Sequence, residues 1–313
     1  MPLIGGHLDT VEQWIDLVEE VVVVDSRSRD QTVEILKKRL GNRNVRFLSQ
    51  PPGLYPSWNH GIGQLSARYT YISTVGDGIT REGLVHLVEV AQKFSCDVVV
   101  SPPDFVNEAG RPVRGQTWPV HTVVSILGLD RPAYLEGWLA FATALAFFPS
   151  AILGSSASNL YRTAVLQARP FPTEFGMNGD GVWGLTNALG IRLGITPRRI
   201  SFFREHSKPY PLSEYCPADP QRTLLEANLK VFEDMIQQPL DLEDKGNQKH
   251  LDRLIGAMRA VKRWRAVLDR QRVLPWPLVL NPTAWWARQS RIAAQHRCET
   301  LIRNLLMTKM KSS

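Results

Sequence analysis

Four residues carry the chemistry this sequence has to offer. Asp25 ends the apolar run VVVV (21–24) and opens the hydroxyl-rich stretch DSRSRDQT. A carboxylate at a strand end can accept hydrogen bonds from a base or ribose held in a crevice. It can equally finish a strand and begin a turn, with Asp30 capping the next helix. Asp77 stands between Gly76 and Gly78 in YISTVGDGIT (71–80), a strand-like run that ends in a charged turn. A lone carboxylate there is a metal ligand or a turn residue, and a glycine holds the place of a paired carboxylate. Asp180 lies between Gly179 and Gly181, so little bulk surrounds it. It could meet a substrate, or cap the helix that VWGLTNAL begins. His206 closes RRISFFREH (198–206), where a histidine is either a ligand or an ordinary surface or core residue.

The elements that must position these residues are readable from periodicity. Leu8, Val11, Ile15 and Val18 recur at helical spacing, with Asp9 or Thr10 available as a cap. VVVV is an apolar β-branched run of the kind buried parallel strands show. A helix over 29–40, a strand over 44–48, a helix over 55–67 and a strand over 69–75 follow, then a helix over 81–94 and a strand over 96–102. Such alternation predicts a mainly parallel α/β sheet with helices on both faces, and ligands at the carboxyl ends of its strands. Asp25 and Asp77 would both sit at such ends. Beyond residue 103 the alternation stops. NEAGRP (107–112) reads as a hairpin turn, 119–150 as helices, SNLYRTAVL (158–166) as a strand running into a helix, and 179–190 as the start of a helix. Three helices over 221–238, 248–271 and 283–308 form a C-terminal extension, so the boundary falls at 212/213.

Composition narrows the function classes. With 43% hydrophobic and 21% charged residues, the 313-residue chain can build a packed core. Cys96, Cys216 and Cys298 are far apart and odd in number, so neither a zinc spacing nor a disulfide framework is legible and a reducing, cytoplasmic setting is expected. The most apolar run, 138–153, contains Pro149 and falls short of the roughly 20 residues a spanning helix needs, so a buried helix is expected. No G-x-G-x-x-G precedes Asp25, which argues against a dinucleotide-binding unit. The net charge of +7 is a property of the tail: residues 250–313 hold 13 Lys/Arg against 3 Asp/Glu, a net of +10, and the remainder sums to −3. No aromatic-basic recognition motif accompanies that charge, so nucleic acid is not an expected partner.

Taken in order, VVVVDSRSRDQT, PPGLYPSWNHGIGQLSARYTYISTVGDGI, GSSASNLYRTAVL, GDGVWGL and FFREH resemble the family 2 glycosyltransferases, nucleotide-sugar-dependent enzymes of the GT-A fold. The resemblance covers residues 8–206. It implies that Asp25 contacts the nucleotide base, that Asn59 and Gly61 lie on the helix backing the nucleotide-sugar pocket, and that Asp77 holds a divalent cation bridging the donor diphosphate. It also implies that Asp180 is the catalytic aspartate and that His206 completes the metal site. Mg²⁺ or Mn²⁺ is the implied cofactor, a nucleotide-diphosphate sugar the donor, and a saccharide or lipid-linked hydroxyl the acceptor. The implied setting is assembly of a surface polysaccharide or glycolipid, with inverting chemistry. Trp58 and Trp183 read as core or pocket wall.

Two departures matter. Gly76 replaces the first carboxylate of the family's metal motif, as in branches that read N-x-G-D. The family's sheet also begins with a central strand, and MPLIGGHLD is too short and glycine-broken to supply it. The expectation is a natural start upstream of Met1, or a defective chain. Direct pairing of 21–24 with 69–75 would overturn that. These departures support a second reading, a relative that binds nucleotide sugar without turnover. In the tail, Leu251, Leu254, Ile255, Met258, Val261 and Leu268 form one stripe, with basic residues mostly elsewhere and Trp285 and Trp286 further on. Such a segment over 250–313 fits either an anionic membrane surface, at the inner face of the cytoplasmic membrane, or packing on the protein with its charges solvated.

Overall fold

The computed structural model describes residues 2–41, 43–148, 150–153, 156–205, 230–237 and 245–271, together with 293, 296–297, 300–305 and 307. From 261 to 271 only the backbone is described. The chain divides into two compact units, Met1–Asn228 and Leu229–Ser313, and the 212/213 boundary read from sequence falls outside the described residues.

The first unit opens with helix α1 (Pro2–Val11) and a short 3-10 turn at Ile15–Leu17. The helix begins well before Asp9, so neither Asp9 nor Thr10 caps it. Ile4, Leu8, Val11, Trp14 and Ile15 are all buried in one core cluster with Leu36, Leu40, Leu84 and Leu87. Burial of that stripe outweighs the two internal glycines, each costing about 1 kcal/mol relative to alanine.

Strand β1 (Val21–Asp25) pairs in parallel with β2 (Val45–Ser49), on either side of helix α2 (Thr32–Leu40). Helix α3 (Leu54–Ile62) packs on β1. Strand β3 covers only Tyr69–Tyr71, and the two-residue β4 is Gly78–Ile79. Helix α4 (Arg81–Lys93) starts where the Thr80 side chain accepts the Gly83 N–H, as an N-cap does. Next come β5 (Val98–Val100), β6 (Asp104–Val106), α5 (Pro119–Leu127), β7 (Ala133–Leu135) and α6 (Gly137–Phe147). The last part of the unit holds β8 (Asn159–Arg162), α7 (Thr163–Ala168), α8 (Gly179–Asn187), β9 (Leu193–Ile195) and β10 (Ser201–Arg204).

These strands form three sheets, ordered β1-β2, β4-β10-β6 and β3-β8-β5-β9-β7. The mainly parallel sheet expected from sequence is corrected: in the five-stranded sheet β5 and β9 are parallel, and the other three pairings are antiparallel. The apolar runs misled because burial on both faces dictates composition, while neighbour direction leaves no mark on it. Strands β1 and β3 do not pair; their hydrogen-bonded neighbours are β2 and β8. The NEAGRP turn is present, closed by the Asn107 N–H to the Arg111 carbonyl at 2.9 Å. Of the apolar run over 138–153, the part up to Phe147 forms the buried helix expected, with Leu139 to Leu145 of α6 all buried. No helix among the described residues is long and apolar enough to cross a membrane.

In the second unit, residues 230–237 form α9 and Lys245–Gln271 form α10. Leu251, Leu254, Ile255 and Met258 are buried, while Arg253 and Arg259 are exposed. The first half of this stripe is therefore buried within the protein. Val261, Leu268, Trp285 and Trp286 lie outside the described side chains.

Candidate active site

Asp77 does not end β3. It lies six residues beyond Tyr71, in a tight turn entering β4, where its N–H bonds the Thr74 carbonyl at 3.0 Å. Gly76 in that turn has φ +104°, a conformation that side chains other than glycine rarely adopt. The glycine is thus required by the backbone path, which explains why no carboxylate stands there.

The Asp77 side chain is only 4% exposed. Its Oδ1 accepts the Arg204 N–H of β10 at 3.0 Å. The Arg204 guanidinium donates to the carbonyls of Gly76 (3.0 Å), Asn107 (3.1 Å) and Glu108 (3.0 Å), tying the Asp77 turn to the 107–112 hairpin. On the other side, His7 of α1 donates Nδ1–H to the Asp77 carbonyl at 3.0 Å. A carbonyl only accepts, so this fixes the tautomer, and Nε2 is left to accept from the Ser73 hydroxyl at 3.4 Å. Burial holds the His7 pKa below its ordinary value, and the imidazole is neutral. Burial pushes the Asp77 carboxyl up to about 7, against the opposing pull of the Arg204 N–H and positive charge.

The fit of this site to Mg²⁺ or Mn²⁺ is poor. Among the described residues no group of three or more His, Cys, Asp or Glu side chains could hold a metal ion. Asp77 is enclosed, part-committed to β10, and costly to ionise. His206 lies outside the described residues.

Asp25 ends β1 as expected, and both its carboxylate oxygens accept the Ser28 N–H at 3.2 Å. Between them Arg27 has φ +60°, so the carboxylate stabilises a strained turn. Asp30 accepts the Thr32 N–H at the start of α2, close to its expected capping role. The Asp25 turn is fastened to α3 by the Ser26–Ser57 hydroxyl pair at 3.0 Å.

Helix α3 reaches the other way as well. The Asn59 carboxamide donates to the Phe171 carbonyl at 2.8 Å and accepts the Phe171 N–H at 2.9 Å. Its polar atoms are thus engaged by the backbone leading to Asp180, and Asn59 clamps that segment to α3. Tyr55, one turn earlier, donates its hydroxyl to the Met177 carbonyl at 3.1 Å. Asp180 sits in the first turn of α8, half-buried, and its Oδ1 accepts the Gly181 N–H at 2.7 Å. Burial raises the Asp180 carboxyl to about 6; the Gly181 N–H and then the Tyr55 hydroxyl oppose that rise. A helix N-terminus also favours the charged form. Trp58 and Trp183 belong to an aromatic cluster with Tyr55, Tyr161 and Phe171, as core or pocket wall.

The structure thus joins Asp25 and Asp180 through one helix, and places Asp77 in a separate network of α1, β10 and the hairpin. His7, Tyr55 and Arg204 were not singled out from sequence. Arg204 lies two residues before His206 in FFREH, and Tyr55 lies four before Asn59. That i,i+4 relation to a polar residue on one helix face was the available signal.

The fold, a mixed sheet flanked by helices, matches structures of the GT-A glycosyltransferase class. The chain belongs to glycosyl transferase family 2, whose model matches residues 6–165. Among solved structures it is similar to S. aureus TarS residues 1–349 in complex with UDP-GlcNAc, with 16% identity, 96% of this chain and 87% of that chain covered, and a TM-score of 0.61. The UDP complex of the same TarS fragment matches with 16% identity, 95% and 87% coverage and a TM-score of 0.56. A longer TarS structure matches at 17% identity over 96% of this chain and 52% of that one, with a TM-score of 0.56. At such identity the likeness shows the fold. No curated protein matches the chain.

Proposed function

We propose that this glycosyltransferase moves a sugar from a nucleotide-diphosphate donor to a hydroxyl acceptor with inversion, using Asp180 as the base. The observation that carries the reading is the Asp180 environment: a half-buried carboxylate in the first turn of α8, with its pKa raised to about 6. A hydroxyl is a poor nucleophile until a positioned base takes its proton, and a base poised near neutrality does this best. Asp25, at the end of β1, receives the nucleotide base in this scheme, and α3 backs the pocket. TarS, of the same fold, is solved with UDP-GlcNAc and with UDP, which supports a uridine nucleotide sugar as the first donor to try.

No step is routed through a metal. Mg²⁺ or Mn²⁺, as the family resemblance implies, would have one carboxylate, Asp77, among the described residues, and would depend on the donor phosphates for the rest of its shell. A saccharide or lipid-linked acceptor in surface polysaccharide or glycolipid assembly completes the proposal.

The test is release of nucleoside diphosphate from a panel of nucleotide sugars, starting with UDP-GlcNAc and with water as acceptor. Turnover of one donor, reduced about 100-fold or more in Asp180→Asn, is the expected result. The enclosure of Asp77 favours a second reading, a nucleotide-sugar-binding relative without turnover. Intact nucleotide binding with no turnover across the panel would establish that reading instead.

A further inference from the structure

Helix α3 presents Tyr55 and Asn59 on one face to the chain between Phe171 and Asp180. Asn59 clamps the start of that segment through the Phe171 backbone. Tyr55 grips its end in two ways. Its hydroxyl bonds the Met177 carbonyl, three residues before Asp180. Its ring lies flush on the backbone of Gly179, where a Cβ would come within 2.5 Å of the ring and 2.7 Å of the Pro172 carbonyl. The ring is 3% exposed, edge-on to Trp58 at 5.2 Å and stacked on Phe171 at 5.8 Å, so it cannot shift without moving its neighbours.

We propose that Tyr55 is a positioning residue for Asp180: its hydroxyl divides one proton between the Met177 carbonyl and the Asp180 carboxylate, and so fixes the carboxylate for the acceptor. This rests on Asp180 being the base. With Gly181 N–H on Oδ1, the carboxylate has one backbone anchor and needs a second donor to set its rotation. The Tyr55 hydroxyl, held at the Met177 carbonyl, also favours the ionised form of Asp180. When Asp180 is ionised the hydroxyl turns toward it; when Asp180 has taken a proton, the Met177 carbonyl receives the hydroxyl again. Phenylalanine at 55 would keep the ring and lose this exchange.

The experiment titrates the full chain labelled with carboxyl-¹³C aspartate, the Asp180 resonance being the one lost in Asp180→Asn. Tyr55→Phe should move the Asp180 midpoint upward, because a hydrogen bond favouring the charged form is gone. An unchanged midpoint would overturn the proposal. Should Tyr55→Phe not fold, 3-fluorotyrosine at position 55, a stronger donor of nearly the same shape, should move the midpoint downward, and no movement is again fatal. In the turnover arm, Tyr55→Phe should lower kcat for donor hydrolysis about tenfold with the donor KM unchanged. Wild-type turnover in Asp180→Asn would remove the base assignment itself. An inactive Asp180→Asn beside a fully active Tyr55→Phe would remove only the role of Tyr55.

Discussion

Gly76 decides what the Asp77 turn can become. Its φ of +104° serves the backbone, so putting back a carboxylate at that position strains the turn. Gly76→Asp should destabilise the protein by about 1–3 kcal/mol in thermal or urea unfolding, and calorimetric titration with Mn²⁺ should show no gain in affinity. Asp180 makes an opposite bargain. Its folded pKa, about 6, lies above its ordinary value of 3.8. Between those values the folded state holds a proton that the unfolded state has released. Stability therefore falls as pH rises from about 4 to about 6 and stays lower above that. Asp180→Asn should be more stable than wild type at pH 8, by about 3 kcal/mol, and equal to it near pH 4. The same group predicts a kcat/KM that climbs through about pH 6 in the wild type. The two flanking glycines made Asp180 conspicuous in the sequence. Tyr55 and His7 were not, because an aromatic in a helix reads as core and a histidine's partner can lie far along the chain, 70 residues away in the case of His7.

Elements, more than residues, determine how the site is assembled. α3 is the shared support: Ser57 reaches the Asp25 turn, and Tyr55 and Asn59 reach the Asp180 segment. Its seat against α8 depends on Gly179. Gly179→Ala must push the Tyr55 ring or the Pro172 carbonyl aside, at a cost of about 1–3 kcal/mol, and should lower kcat more than it weakens nucleotide binding. Helices such as α2 and α4 were legible because their apolar residues repeat at helical spacing. The short strands were not. β7, three residues in a segment read as helical, offers too little pattern to oppose its neighbours, and β3 stops at Tyr71 although β-favouring residues run on to Val75. Sheet direction was illegible for the reason given by β5 itself: Val98, Val99 and Val100 are fully buried between one antiparallel and one parallel neighbour.

On the scale of the whole molecule, charge and burial separate the two units. The excess of basic residues belongs to the tail, and in the described part of α10 the charges point outward over a buried stripe. Leu254 is fully buried, so Leu254→Ala should cost about 2–5 kcal/mol, read as faster amide exchange along α10. Within the first unit, the Asp77 turn is held at once by α1, by β10 and by the 107–112 hairpin. A donor diphosphate settling against that turn would steady all three, and the amides of α1 should then exchange more slowly with UDP present than without it. The first helix, which holds none of the residues proposed to touch substrate, would become the place where occupancy of the site is most easily heard.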